Sequence, residues 1–236
     1  QKEHDLNEEE VKSYFSLDQM VEAAFYCANK LFGLSFQPVS LPLYHKDCKA
    51  WEVTKNGEKI ALFIGDYFAR SSKRSGAWCS AFQSQAKFPV FQKPIVLNVC
   101  NFAKGSPTLL SFDDARTLFH EFGHALHQIL SNVTYEPLSG TSVSRDFVEL
   151  PSQLFEHWLT VPEVLKRFAV HYKTKSPISE KLMERLIGAS NYDMGYQTVE
   201  YTSSALVDLY FHLEDTEKGV MELQNEILSK IGLPEA

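Results

Sequence analysis

His120 and His124 stand four residues apart in the pentad His120-Glu121-Phe122-Gly123-His124. A helix turns 100° per residue, so the two imidazoles fall one above the other on a single face. Two nitrogens placed in this way can reach one ion at about 2.0–2.1 Å, the distance zinc takes to histidine. Glu121 sits beside them, close enough to act as general base toward a water held by the metal without being a ligand itself. A closed triad needs one more His, Glu or Asp from a separate element and leaves a fourth position for water. Downstream, SGTSVSRDFVELPSQLFEHW (residues 139–158) carries an acidic pair, Asp146 and Glu149, into a second apolar stretch.

The element that must present the pentad is a helix over residues 111–131. Ser111 with Asp114 three residues on resembles a capping box, and Asp113 and Asp114 suit the positive end of the helix dipole. Phe112, Ala115, Leu118, Phe119, Phe122, Ala125, Leu126, Ile129 and Leu130 recur at helical spacing, which implies burial on most sides. His120, Glu121, His124 and His127 are costly in such a helix unless they are paired or bound to an ion. The second helix should start near Asp146, with Asp146 as N-cap and Pro151 unwinding its first turns. Asp146 is also a candidate to orient a metal-bound histidine from outside, although capping is the simpler role.

HEFGHALH, then SGT, DFVELPSQ and EHW together resemble the thimet oligopeptidase family of zinc peptidases, and within it the peptidyl-dipeptidase branch. The resemblance covers nearly the whole chain. It implies a zincin-like metallopeptidase catalytic domain that cleaves short peptides, with one zinc per chain held by His120, His124 and Glu149. It makes Glu121 the catalytic base for attack of zinc-bound water on the scissile bond. It also implies that the strand within GAWCSAF (residues 76–82) adds substrate as one more strand, whereas Trp78 alone reads as core. Family members carry a Gly- and Tyr-rich segment with a histidine after the last helices, and nothing in residues 215–236 matches it. Tyr192, Tyr196 and Tyr201 lie too early for that role. The family's long N-terminal helical region is not matched either, so the chain reads as an incomplete catalytic domain, and missing N- and C-terminal parts are expected to complete the site. The alternative is a catalytically silent zinc-binding fragment with a structural or peptide-binding role. A zinc hydrolase of another type sharing the two-histidine helix is argued against by DFVELPSQ.

Bulk properties fit this reading. The 236 residues, 44% hydrophobic and 22% charged, suffice for a packed core of one or two domains. A net charge of −7 supplies no basic footprint for nucleic acid or an anionic membrane. No run reaches the roughly 18 apolar residues of a membrane span, and the polar start QKEHDLNEEE does not read as a signal peptide. That start lacks Met, which suggests a processed piece. Cys27, Cys48, Cys79 and Cys100 have no metal-knuckle spacing and read as free thiols, which points to the cytoplasm, with an organelle as the other option.

The expected architecture is predominantly helical α+β, a single domain over 1–236. Its sheet-containing part is about 34–105 and its helical zinc-binding part about 111–236. A first helix starts at a Ser16–Gln19 capping box and stops at Gly33, and residues 34–44 form an extended connection. Four strands follow at 50–54, 59–68, 76–82 and 95–101, with Asn56-Gly57 as a hairpin turn. Beyond the metal region, helices are expected over 163–173, 178–190 and 194–214, with an amphipathic tail. His157, His171 and His212 lie in these stretches without an acidic partner at metal spacing.

Overall fold

The computed structural model describes residues 6–190, 194–213 and 218–233, and it forms two compact units, Gln1–Met183 and Glu184–Ala236. In the first unit a short helix, α1 (Glu8–Lys12), is capped by the Asn7 side chain, which accepts from the backbone N–H of Glu9 and Glu10. Helix α2 (Leu17–Phe32) follows, and Gly33 stops it in the left-handed conformation at φ 70°. The expected capping box at Ser16 is not formed. The Ser16 hydroxyl donates to the Gln19 side chain at 3.0 Å instead of accepting from the helix backbone.

Five strands make one sheet: β1 (Leu34–Val39), β2 (Lys49–Lys55), β3 (Glu58–Phe68), β4 (Trp78–Gln83) and β5 (Ile95–Phe102). Their order is β1-β2-β3-β5-β4, with β3 and β5 parallel and the other pairs antiparallel. Strand β1 falls where the sequence suggests only a connection. Pro38 hides it from sequence reading, yet a proline is tolerated on an edge strand, and β1 is an edge. Asn56 and Gly57 both take positive φ, 52° and 80°, as the tight β2–β3 hairpin requires.

Strands β3 and β5 are buried almost continuously, because both faces of the sheet are covered. On one face Phe25 of α2, Phe36 of β1, Phe63 of β3 and Phe122 meet as an aromatic cluster. Phe25 and Phe36 stack at 4.1 Å, and Phe63 meets Phe122 edge-on at 5.2 Å. Burying each such ring contributes about 1.5–3 kcal/mol. On the other face Cys48, Ala50, Ile64, Leu97 and Val99 form a second cluster. Trp78 packs against it half-buried, so it belongs to the margin of the core.

Phe122 comes from helix α3 (Phe112–Ile129), whose first turn carries the full capping box. Ser111 Oγ accepts from Asp114 N–H and Asp114 Oδ2 accepts from Ser111 N–H, each at 3.0 Å. Two short helices follow, α4 (Arg145–Val148) and α5 (Leu150–Glu156), broken at Glu149 with Pro151 in the first turn of α5. Ser144, and not Asp146, occupies the N-cap of α4. Helix α6 (Pro162–Phe168) is shorter than expected, because Val170 leaves it to bridge with Pro177. Helix α7 (Glu180–Ser190) begins in the first unit and ends in the second, which also contains α8 (Met194–Leu213) and α9 (Val220–Lys230). Among the described residues no helix is long and apolar enough to cross a membrane.

Candidate metal centre

Helix α3 has two kinds of surface, and the site depends on their separation. Phe119 and Phe122 turn inward, where both rings also meet Phe155 of α5 at 5.5 and 5.7 Å. His120 and His124 stand together on the adjoining side with ring centroids 5.0 Å apart. Between helices α3 and α5 lies Gly123. A Cβ there would come within 2.7 Å of Ser152 Cα and 2.8 Å of the Pro151 carbonyl oxygen. No other residue type permits this approach, and it brings the N-terminus of α5 onto the histidines.

Glu149 arrives with it. Its Oε2 lies 3.2 Å from His120 Nε2 and 3.1 Å from His124 Nε2. Ser152, fully buried one turn on, donates to the same oxygen at 2.8 Å and so fixes the carboxylate's direction. Burial works against the charge on Glu149, but Ser152 and the two histidines outweigh it and hold the carboxyl below its ordinary range. The donor atoms of His120, His124 and Glu149 all lie within 4.8 Å of one another. A tetrahedral ion with arms of roughly 2.0 Å has donor–donor edges of about 3.3 Å, close to both measured N···O separations. Burial lowers the pKa of His124, which keeps it in the neutral form that can ligate a metal. The donor set thus fits zinc in type, number and spacing.

Glu121 projects about 100° around α3 from His120 and is 6% exposed. Among the described residues no hydrogen bond or ion pair reaches its carboxylate. Burial pushes its pKa up to about 7, with His120 opposing the rise and Glu149 adding to it. A carboxylate poised near neutrality can both take and return a proton. It opens on a cleft of about 340 Å³ bounded by Ala77, Arg116, Thr117, His120 and Glu156. Ala77 directly precedes the edge strand β4, so the cleft and a free strand edge adjoin.

Of the acidic residues flagged from the sequence, Glu149 joins the histidines and Asp146 does not; it is exposed in the first turn of α4. The carboxylate that does reach a histidine from behind is Glu156, whose Oε1 lies 2.6 Å from His120 Nδ1. Sequence reasoning missed it, although its place seven residues after Glu149 puts both on one helical face. His157 lies in a 3-10 turn, His171 accepts from the backbone N–H of Lys173 and Thr174, and His212 contacts the Asp208 carbonyl on α8. Tyr196 and Tyr201 are exposed on α8, and Tyr192 lies outside the described residues.

The chain as a whole is similar to known peptidases. The profile of Peptidase family M3 matches residues 1–232. The chain is 44% identical over 220 residues to dipeptidyl carboxypeptidase of Escherichia coli (strain K12), covering 90% of this chain and 32% of that protein. It is 33% identical over 224 residues to oligopeptidase A of the same organism, covering 91% and 33%. Mitochondrial intermediate peptidase of Arabidopsis thaliana is 33% identical over 244 residues, covering 95% and 33%. The chain spans about a third of the length of these curated relatives.

Proposed function

The chain belongs to peptidase family M3, and on that premise we propose that it carries the metal centre of a zinc-dependent oligopeptidase or peptidyl-dipeptidase acting on short peptides. His120, His124 and Glu149 would hold the ion. The observation that carries this reading is the convergence of both Nε2 atoms on Glu149 Oε2, at 3.2 and 3.1 Å, beside a buried Glu121 that has no hydrogen-bond partner among the described residues. Bound there, zinc supplies Lewis acidity that polarises a carbonyl and eases deprotonation of water near neutral pH.

Glu121 takes the proton of the water whose oxygen bonds to the scissile carbonyl carbon. It then delivers a proton to the amine as the C–N bond breaks. Its raised pKa suits both halves of that exchange. A peptide extended along the free edge of β4 would present main-chain carbonyls to the adjoining cleft, using hydrogen bonds that do not depend on side-chain identity. The names of the relatives, a dipeptidyl carboxypeptidase and oligopeptidases, support short peptides as the substrate class. The four cysteines are free, which supports a reducing compartment such as the cytoplasm.

Elemental analysis of chain purified without chelators tests the centre, with about one zinc per chain expected, lost on Glu149→Ala. Glu121→Gln should keep the zinc and cleave short peptides about 10²–10⁴-fold more slowly. Unchanged turnover in that variant would remove Glu121 from the reaction. A folded chain that takes up no added zinc would end the metal reading.

A further inference from the structure

A peptide added to the edge of β4 is held by main-chain hydrogen bonds, which repeat along the strand and do not fix which residue sits where. Something else must set the bond that lies opposite Glu121. The cleft at Glu121 holds two carboxylates, Glu121 itself and Glu156. Among the described residues that bound it, Arg116 alone carries a permanent positive charge.

Arg116 lies on α3 one turn before His120, about 6 Å along the axis at roughly 1.5 Å per residue. Its side chain is half-exposed. Nη2 pairs with the exposed Asp113 Oδ1 at 3.1 Å, a solvated contact of the kind that contributes little, and Nε stands 3.9 Å from Glu156 Oε2. Glu156 is engaged through its other oxygen, Oε1, 2.6 Å from His120 Nδ1. A guanidinium has five N–H donors, so Arg116 keeps capacity for a further carboxylate.

We propose that Arg116 is a specificity-determining residue: it binds the free C-terminal carboxylate of a peptide and so sets which bond is presented to Glu121. The inference rests on the peptidase reading above. Two extended residues span about 7 Å. A carboxylate two residues beyond a carbonyl at the level of His120 therefore falls beside the turn that carries Arg116. The planar guanidinium takes a carboxylate through two parallel hydrogen bonds, which supply direction as well as charge. Elsewhere in the cleft the same carboxylate would meet Glu156 or an ionised Glu121, and like charges repel.

The experiment compares the parent chain with Arg116→Ala and Arg116→Lys, using one short peptide made as the free acid and as the C-terminal amide. Binding is measured by calorimetry in chelator, where the peptide is not consumed. The parent should bind the acid about 10-fold more tightly than the amide, the worth of one charge-assisted contact. Arg116→Ala should bind both forms as weakly as the parent binds the amide. Arg116→Lys keeps the charge without the fork and should fall between them. With zinc added, kcat/KM for the acid should drop about 10-fold in Arg116→Ala, and mass spectrometry should show cleavage spreading to other distances from the C-terminus.

Loss of the acid preference in Arg116→Ala supports the anchor even if the chain takes up no zinc and cleaves nothing. Cleavage with an unchanged acid-to-amide ratio and unchanged products in that variant would overturn the anchor and leave the peptidase reading standing. A parent that binds acid and amide alike, or binds neither, also overturns it.

Discussion

Asp66 and Glu121 are buried to nearly the same degree, 1% and 6% exposed, yet their carboxyl groups are displaced in opposite directions. Asp66, near the end of β3, accepts from both Arg70 guanidinium arms at 2.7 Å, from Lys73 at 2.9 Å and from the Tyr44 hydroxyl at 2.9 Å. Burial alone would raise its pKa, but these donors outweigh burial and lower it to about 2. Lys73 also donates to the carbonyls of Asp66, Phe68 and Cys100, so this cluster satisfies itself. Among the described residues Glu121 has no such donors, and burial pushes it up to about 7. One carboxylate is saturated with local cations and belongs to the scaffold. The other has no hydrogen-bond or ion-pair partner among the described residues and lies beside the proposed metal donors, the arrangement that the proposed proton transfer would use.

The largest effect should come from emptying the satisfied cluster. Asp66→Asn leaves Arg70 and Lys73 without their counter-charge and should destabilise the chain by about 3–5 kcal/mol at pH 7 in urea unfolding. The same cluster predicts an acid limb. Because the folded pKa of Asp66 lies below its ordinary value, its contribution is present above about pH 4 and is lost as pH falls through about 2. That limb should be absent from the Asn variant; an identical acid profile in both would mean that Asp66 is not the stabilising group.

Gly123→Ala tests the approach of α5 without touching Asp66. Overpacking against Ser152 should cost about 1–3 kcal/mol and, by displacing Glu149, weaken zinc binding. Stability loss with full zinc affinity would show that α5 can shift without carrying Glu149 away.

The smallest stability effect has the opposite sign. In the metal-free chain Glu121 has a folded pKa above its unfolded one, so its contribution is fully present below about pH 4.5 and is lost as pH rises through 7. Glu121→Gln should therefore stabilise the chain in chelator on the order of 1–2 kcal/mol at pH 8, with little difference at pH 4.5. Thermal unfolding at the two pH values measures this. A variant less stable than the parent at pH 8 would mean that the ionised Glu121 has a partner after all.

Much of this was legible before folding was considered, wherever the information is local. The His120–His124 spacing, the Ser111–Asp114 box, the Asn56-Gly57 turn and the Gly33 stop each depend on residues within one turn or one hairpin, and the structure has all four. The Ser16–Gln19 box failed because two side chains bonded to each other in place of the backbone, a choice that pattern alone does not encode. Glu149 could be named only through a motif, since its distance from the histidines depends on helix packing.

By itself, then, the order of residues determined the helix that carries the pentad, the type and number of donors it offers and the family to which the chain belongs, because each follows from short-range periodicity or from extended motif identity. Tertiary structure alone decided that Leu34–Val39 becomes an edge strand, that Glu156 rather than Asp146 reaches His120, and that Asp66 is paired with Arg70 and Lys73 while, among the described residues, no donor bonds to Glu121. The reason is physical: a charge's partner, and with it the direction of its pKa, is set by which surfaces packing brings within about 3 Å, and that distance is not a property of spacing along the chain.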